Sequence, residues 1–347
     1  MLQLQVFGAR TVRAAAAIAV AIGVSACAGG NVSGGPRSNH RSPDEAHADT
    51  VGISGLAREL SSDAMRGRGP WTRENEQVAR RLAAELLRLG ARPVFGNSLL
   101  VPFAAEPHPR DTVFNVVGVL PSRGSTTTGD LIGITAHLDH LGVGAPDATG
   151  DRIYNGFLDD AVSIGMIVDI GQRFAHDPGD RPLVIMFFNL EEQGLLGSKA
   201  LVARDDARPL LDRLRLLIEV DAGSPAGEAL EWQLVGATPS HPGAVVADSL
   251  ARARGWRTTA TPSRPISDFY PFAQKGVKVL FPIPGAKWRG YTDAQRSESM
   301  RLFDHYHSPK DEWRPDFPWT GTAAFTDWLY SIVRVTTTRA SLGDRHK

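Results

Sequence analysis

The chain has 347 residues with 38 basic and 38 acidic side chains, so it carries no net charge when histidine is neutral. That balance, with no basic patch interleaved with aromatics, argues against a nucleic-acid partner. A single cysteine excludes an intrachain disulfide, and the fold must rest on a hydrophobic core, for which the length is ample.

Residues 1–26 have the form of a targeting segment: Arg10 and Arg13 precede the apolar stretch 14–24, which is too short to cross a membrane. The segment ends in Val24-Ser25-Ala26-Cys27, small residues leading to the sole cysteine. This arrangement resembles a bacterial lipobox, in which Cys27 is diacylated and becomes the mature N-terminus. An ordinary secretory signal with an incidental cysteine is the alternative. On the lipobox reading the protein is exported and lipid-anchored to the cell envelope. Ala28 after the cysteine points to the outer membrane where the cell has one. Residues 27–50, rich in Gly, Ser, Asn and Pro, read as a flexible tether, and residues 51–347 as a single domain without internal repeats.

Thr72 or Asn75 can cap a helix with Val78, Leu82, Leu86 and Leu89 on one stripe, ended by Gly90 and Pro93. Residues 114–120 and 131–136 read as strands, and 161–174 as a helix with Val162, Met166, Ile167 and Ile170 inward. Residues 183–188 are an unbroken apolar run without helical period, the form of a strand buried on both faces of a sheet. A helix at 195–202, a strand at 216–220, a helix at 244–253, a strand at 277–281 and a closing helix at 323–335 follow. Strands alternating with helices predict an α/β fold: a mixed, mostly parallel central sheet with helices on both faces. Ligands of such folds bind beyond the carboxyl ends of the strands.

Polar residues stand at those ends. Strand 131–136 delivers His137-Leu138-Asp139, a pair suited to a metal-binding imidazole oriented by a carboxylate, or to a surface turn. Asn155-Gly156-Phe157-Leu158-Asp159-Asp160 puts two acids before an apolar helix, where capping alone also favours Asp. Glu191 and Glu192 leave strand 183–188, as ligands or as a solvated loop. Asp221 closes strand 216–220. A His-rich loop, residues 304–311, carries His305 and His307. Two imidazoles and three carboxylates form the N/O set expected for a pair of zinc-like ions.

Six ordered motifs carry a family resemblance across residues 136–311. They are Ala136-His137-Leu138-Asp139-His140-Leu141-Gly142, Tyr154-Asn155-Gly156 with Asp159-Asp160, Glu191-Glu192-Gln193-Gly194-Leu195-Leu196-Gly197-Ser198, Glu219-Val220-Asp221, Ser267-Asp268-Phe269-Tyr270-Pro271-Phe272 and Tyr306-His307-Ser308-Pro309-Lys310-Asp311. The chain resembles the M28 co-catalytic zinc peptidases, the bacterial leucyl-type aminopeptidases. Residues 62–68 are similar to its lipoprotein members. The resemblance implies the zinc-dependent exopeptidase α/β/α sandwich. It implies two Zn2+, with another divalent metal as the alternative: His137 and Asp221 on one ion, Glu192 and His307 on the other, and Asp159 bridging. Glu191 is then the general base acting on a metal-activated water, and Asp139 orients His137. Peptides are the implied substrates, cleaved at the N-terminal residue; carboxypeptidase, dipeptidase and glutaminyl cyclase activities share the scaffold, and an inactive lipid-anchored binding protein is a further alternative. Three departures stand out: two residues, Phe157 and Leu158, separate the glycine from the bridging Asp; Ala161 stands where Asn is common; Phe269 stands where His is common. Residues 284–303, with Trp288 and Tyr291 and with Trp313 nearby, are expected to loop over the site or to form a surface excursion. Asp268 is expected either to line the site or to cap a helix with Ser267. His140, His176 and His305 are expected to be structural or solvent-facing.

Overall fold

Residues 47–222, 225–300, 305–338 and 342 are described in the structure, a computed structural model. The expected targeting segment, Cys27 and most of the tether lie outside the described residues. The chain joins the fold slightly upstream of residue 51: the amides of Ala48 and Asp49 donate to the carboxylates of Asp327 and Asp169. Helix α1 (Thr50–Leu60) begins where the Asp49 carboxylate accepts the amides of Val51 and Gly52, a side-chain N-cap. A 3₁₀ segment (Asp63–Arg68) leads to α2 (Arg73–Arg88), capped by Thr72 and burying Val78, Leu82 and Leu86.

Strands β1 (Arg92–Pro93), β2 (Leu100–Ala105), β3 (His108–Leu120) and β4 (Leu131–His137) come next, then the small pair β5 (Gly142–Val143) and β6 (Ile153–Tyr154). A π-helical turn (Phe157–Ala161) runs into α3 (Val162–His176), followed by β7 (Leu183–Phe188), α4 (Leu196–Val202), α5 (Arg208–Arg213) and β8 (Leu214–Glu219). The remaining elements are β9 (Glu231–Val235), α6 (Pro242–Ala253), β10 (Arg257–Thr261), α7 (Phe269–Gln274), β11 (Val279–Pro284), α8 (Asp293–Met300) and α9 (Trp319–Thr337). Segment 284–303, expected as a loop, therefore contains α8. No helix among the described residues is long and apolar enough to cross a membrane.

One mixed sheet has the order β1-β3-β7-β4-β8-β11-β9-β10, with β2 paired to β3. Its middle strands β7, β4, β8 and β11 run parallel, whereas β3 and β9 join them antiparallel. Every residue of β4 and β7 is buried, because helices cover both faces. On one side α1, α2, α3, α6 and α9 enclose residues such as Ile134, Ile185 and Trp328. On the other, Leu201, Leu210, Phe269 and Phe272 of α4, α5 and α7 cover Val184, Met186 and Leu217. The register sets Ala136 beside Phe187 and Thr135 beside Glu219. The carboxyl ends of β4, β7 and β8 thus open at one edge.

Candidate metal centre

His137 is the last residue of β4 and is buried. Its Nδ1 bonds the backbone oxygen of Asp139 at 3.1 Å, while the Asp139 carboxylate is 3.8 Å away. Orientation of the ring therefore falls to the carbonyl of Asp139 and not, as expected, to its side chain. That carboxylate has another partner: Oδ1 accepts the amide of Glu191 at 3.1 Å and Oδ2 that of Glu192 at 3.3 Å. It thereby fixes the loop after β7, where Leu190 (φ 56°) and Leu195 (φ 63°) stand in the left-handed region, a strained backbone that needs such support.

Asp159 sits in the π-helical turn, next to Asp160 across a cis peptide bond. The turn is held from two directions. Asp311 accepts the amides of Leu158 (2.9 Å) and Asp159 (3.2 Å). Arg68, fully buried, donates to the carbonyls of Leu60, Leu138, Asn155, Gly156 and Asp159 at 2.8–3.2 Å. Every guanidinium donor is thereby used. A side chain on Gly156 would meet the Asp159 carbonyl at 2.3 Å and the His140 ring at 2.6 Å, so only glycine fits. Asp160 accepts the amides of His137 (3.2 Å) and Ala222 (3.1 Å), joining the ends of β4 and β8.

The two oxygens of Asp159 face two clusters. Oδ1 is 2.9 Å from His137 Nε2, which is 3.7 Å from Asp221 Oδ1. Oδ2 is 3.1 Å from His307 Nε2, itself 3.1 Å from Glu192 Oε2. Also on this second side is His140, whose Nδ1 lies 2.7 Å from Glu192 Oε1 and 3.7 Å from Asp159 Oδ2. Potential ligand atoms of His137, Asp159 and Asp221, and of His140, Asp159 and Glu192, lie within 4.8 Å of one another in each group. His140, expected to be structural or solvent-facing, is fully buried at the centre. Its signal was a second histidine in the His137-Leu138-Asp139-His140 turn.

The electrostatics describe a cage of acids. Burial pushes the Glu191 carboxyl up to about 10, reinforced by Asp221, Asp268 and Asp139 and only partly offset by His137. Burial likewise raises Asp139 to about 6 and Asp311 to about 6. His137 and His307 hold Asp159 well below the usual carboxylate range despite its burial, and His140 and His307 lower Glu192 to about 2. Three buried atoms on the second side, His140 Nδ1, Asp159 Oδ2 and Glu192 Oε1, have no hydrogen-bond partner among the described residues. Converging acceptors of this kind, in an N/O set, fit a divalent cation.

Asp268 stands at the N-cap position of α7 but makes no capping bond; its Oδ1 accepts from Ser198 Oγ. Burial raises it to about 8. Beside the first cluster a cavity of about 400 Å³ is lined by Asp221, Ile266, Phe281, Ile283, Trp288 and Tyr306 among others. Trp288, from segment 284–303, thus reaches the site. Trp313 donates instead to Ser54 on α1, and His176 is exposed at the end of α3.

No curated protein matches the chain in sequence. In structure it is similar to a zinc aminopeptidase from Bacillus subtilis, with a TM-score of 0.60, 13% identity, and coverage of 85% of this chain and 98% of that one. A Zn-dependent exopeptidase from Parabacteroides distasonis is similar at 0.61 and 15% identity, covering 84% and 98%. A glutaminyl cyclase from an Acidobacteriales bacterium is similar at 0.59 and 15% identity, covering 88% and 99%. These likenesses show the fold. Residues 115–333, which run from β3 through the clustered acids and histidines into α9, match Peptidase family M28, and the chain belongs to that family.

Proposed function

We propose that this protein is an exported, lipid-anchored di-zinc aminopeptidase that removes N-terminal residues from peptides. The observation that carries the reading is the Asp159 carboxylate, with one oxygen toward His137 and Asp221 and the other toward Glu192 and His307. His137 and Asp221 would hold one ion, Glu192 and His307 the other, and Asp159 both. When bound, such ions polarise a peptide carbonyl and lower the pKa of water toward neutrality.

The chain's own part is proton handling and positioning. Glu191 takes the proton of the attacking water and delivers it to the departing amine as the C–N bond breaks, leaving a free amino acid and a shortened peptide. Asp139 fixes Glu191 through the backbone, and Arg68 and Asp311 fix Asp159. Export and anchoring rest on the pattern of residues 1–26 and on Cys27, with the outer membrane as the destination where the cell has one.

Hydrolysis of free-amine peptides, abolished by chelation and by N-terminal blocking, tests the activity. Cleavage of blocked peptides from the other end, or release of pyroglutamate from a Gln-initiated peptide, would replace the aminopeptidase reading by a carboxypeptidase or a cyclase. Anchoring is tested by detergent partitioning of the whole protein, which Cys27→Ala should abolish.

A further inference from the structure

We propose that His140 is an additional protein ligand of the second metal position, which it closes together with Asp159, Glu192 and His307, so that the two positions are chemically unequal. The inference rests on the di-metal reading above. Three observations carry it. His140 is fully buried, and neither ring nitrogen has a hydrogen-bond partner among the described residues. A buried imidazole whose polar neighbours are carboxylates is well placed to share a cation with them. Its Nδ1 lies 2.7 Å from Glu192 Oε1 and 3.7 Å from Asp159 Oδ2, so three potential ligand atoms converge as they would around one ion. Finally, His140 Nδ1 stands 2.7 Å from Glu192 and 3.7 Å from Asp159, and His307 Nε2 stands 3.1 Å from each of these two carboxylates. Four donors around a zinc-sized ion at about 2.1 Å stand about 3.4 Å apart.

The first position has a different character. It draws on His137, Asp159 and Asp221 alone, three protein donors beside the apolar cavity. Three-donor sites keep a place for water or substrate, whereas four-donor sites are closed and hold metal tightly. The first position is then the open, exchangeable one, and the second is the retained anchor that keeps Asp159 and Glu192 in place.

Zinc competition titration with a fluorescent chelator, on wild type, His140→Ala and His140→Cys, tests this. Thermal unfolding of each metal-free protein checks that the fold is intact. The expected result is two zinc ions in wild type with unequal constants. His140→Ala should weaken the tighter constant by about 100-fold and the other by less than about 3-fold, and His140→Cys, which restores a ligand, should recover most of the loss. Both constants within about 3-fold of wild type in His140→Ala would overturn the proposal, as would a loss that His140→Cys does not rescue. Should His140→Ala not fold, wild type loaded with cobalt decides. Paramagnetically shifted ring protons of two histidines in the first equivalent support the proposal; those of a single histidine overturn it. Wild type that binds no metal would instead defeat the di-zinc reading itself, a distinct outcome.

Discussion

The carboxylate of Asp139 accepts the backbone amide of Glu191 at 3.1 Å and, with its second oxygen, that of the next residue. The His137-Leu138-Asp139 turn therefore does two jobs. Its imidazole joins the cluster with Asp159 and Asp221, and its acid sets the backbone from which both glutamates project. On the proposed reading this accounts for the division of roles: the loop is pinned, Glu192 reaches toward His140 and His307, and Glu191 stands among Asp139, Asp221 and Asp268.

Asp139→Asn puts an amide group against at least one of these N–H donors, and the loop should shift. We expect turnover to fall about 10- to 100-fold with two zinc ions still bound. Steady-state kinetics beside metal analysis checks this.

The division of roles also separates the two glutamates. Glu191→Gln should retain both metals and lose about 10²- to 10⁴-fold in turnover, the range for a missing general base. Glu192→Ala removes a donor and should lose one zinc as well as activity. Metal analysis and peptide hydrolysis on the same preparations tell the two apart; equal zinc content in both variants would contradict the assignment.

Why some of this architecture is readable and some is not follows from burial. Strands β4 and β7 are covered on both faces, so their apolar runs are unbroken, and acids at their ends stand out. The outer half of β3 is exposed and carries His, Arg and Asp, so only the buried half from about Phe114 reads as strand. Helix α1 contains two glycines, Gly52 and Gly55, which weaken the helical signal of Ile53, Leu56 and Leu60. Arg68 is the extreme case. Within Arg66-Gly67-Arg68 it looks like a surface charge, yet its partners come from residues 60, 138, 155, 156 and 159. Only the folded chain brings those carbonyls together, and the same holds for the burial of His140.

Arg68 therefore offers a sharp test of how the site is supported. Arg68→Met leaves carbonyls from both ligand-bearing turns without donors. Leaving buried carbonyls without a donor costs about 1–3 kcal/mol for each that water cannot reach, and a lowered melting temperature with weakened zinc retention should follow. Arg68→Lys should rescue little, because an ammonium cannot reproduce the planar five-donor fork. Thermal unfolding with and without zinc measures both effects.

With N-terminal residues as the proposed substrates, the cavity beside Asp221 sets an expected selectivity for the first residue of the peptide. Ile266, Phe281, Ile283 and Trp288 line it. Burying an apolar side chain there should favour leucyl or phenylalanyl over glycyl substrates by about 1.5–3 kcal/mol, or roughly 10- to 100-fold in kcat/KM. Ile266→Asp, at a partly exposed position on the rim, should narrow that ratio and improve relative turnover of arginyl substrates. A series of aminoacyl p-nitroanilides reads both changes.

A last prediction concerns stability away from the metal centre. His241 caps α6, its Nδ1 accepting the amide of Ala244 at 3.3 Å. Burial, and then Lys278, lowers its pKa to about 4, below the value of about 6.5 expected in the unfolded chain. A protonated ring cannot accept that amide, so the folded state resists protonation in this window. Between these values the unfolded chain binds more protons, and stability rises with pH. The contribution is thus fully present above about pH 6.5 and is lost as pH falls toward about 4. Allowing for the screening of a partly accessible ring, we expect a loss of about 1–2 kcal/mol. His241→Asn keeps a side-chain cap but does not titrate there. Urea unfolding of metal-free wild type and variant at pH 7.5 and pH 4.5 isolates the effect. The difference in stability between them should shift in favour of the variant at the lower pH, and an unchanged difference would exclude His241 as the titrating group.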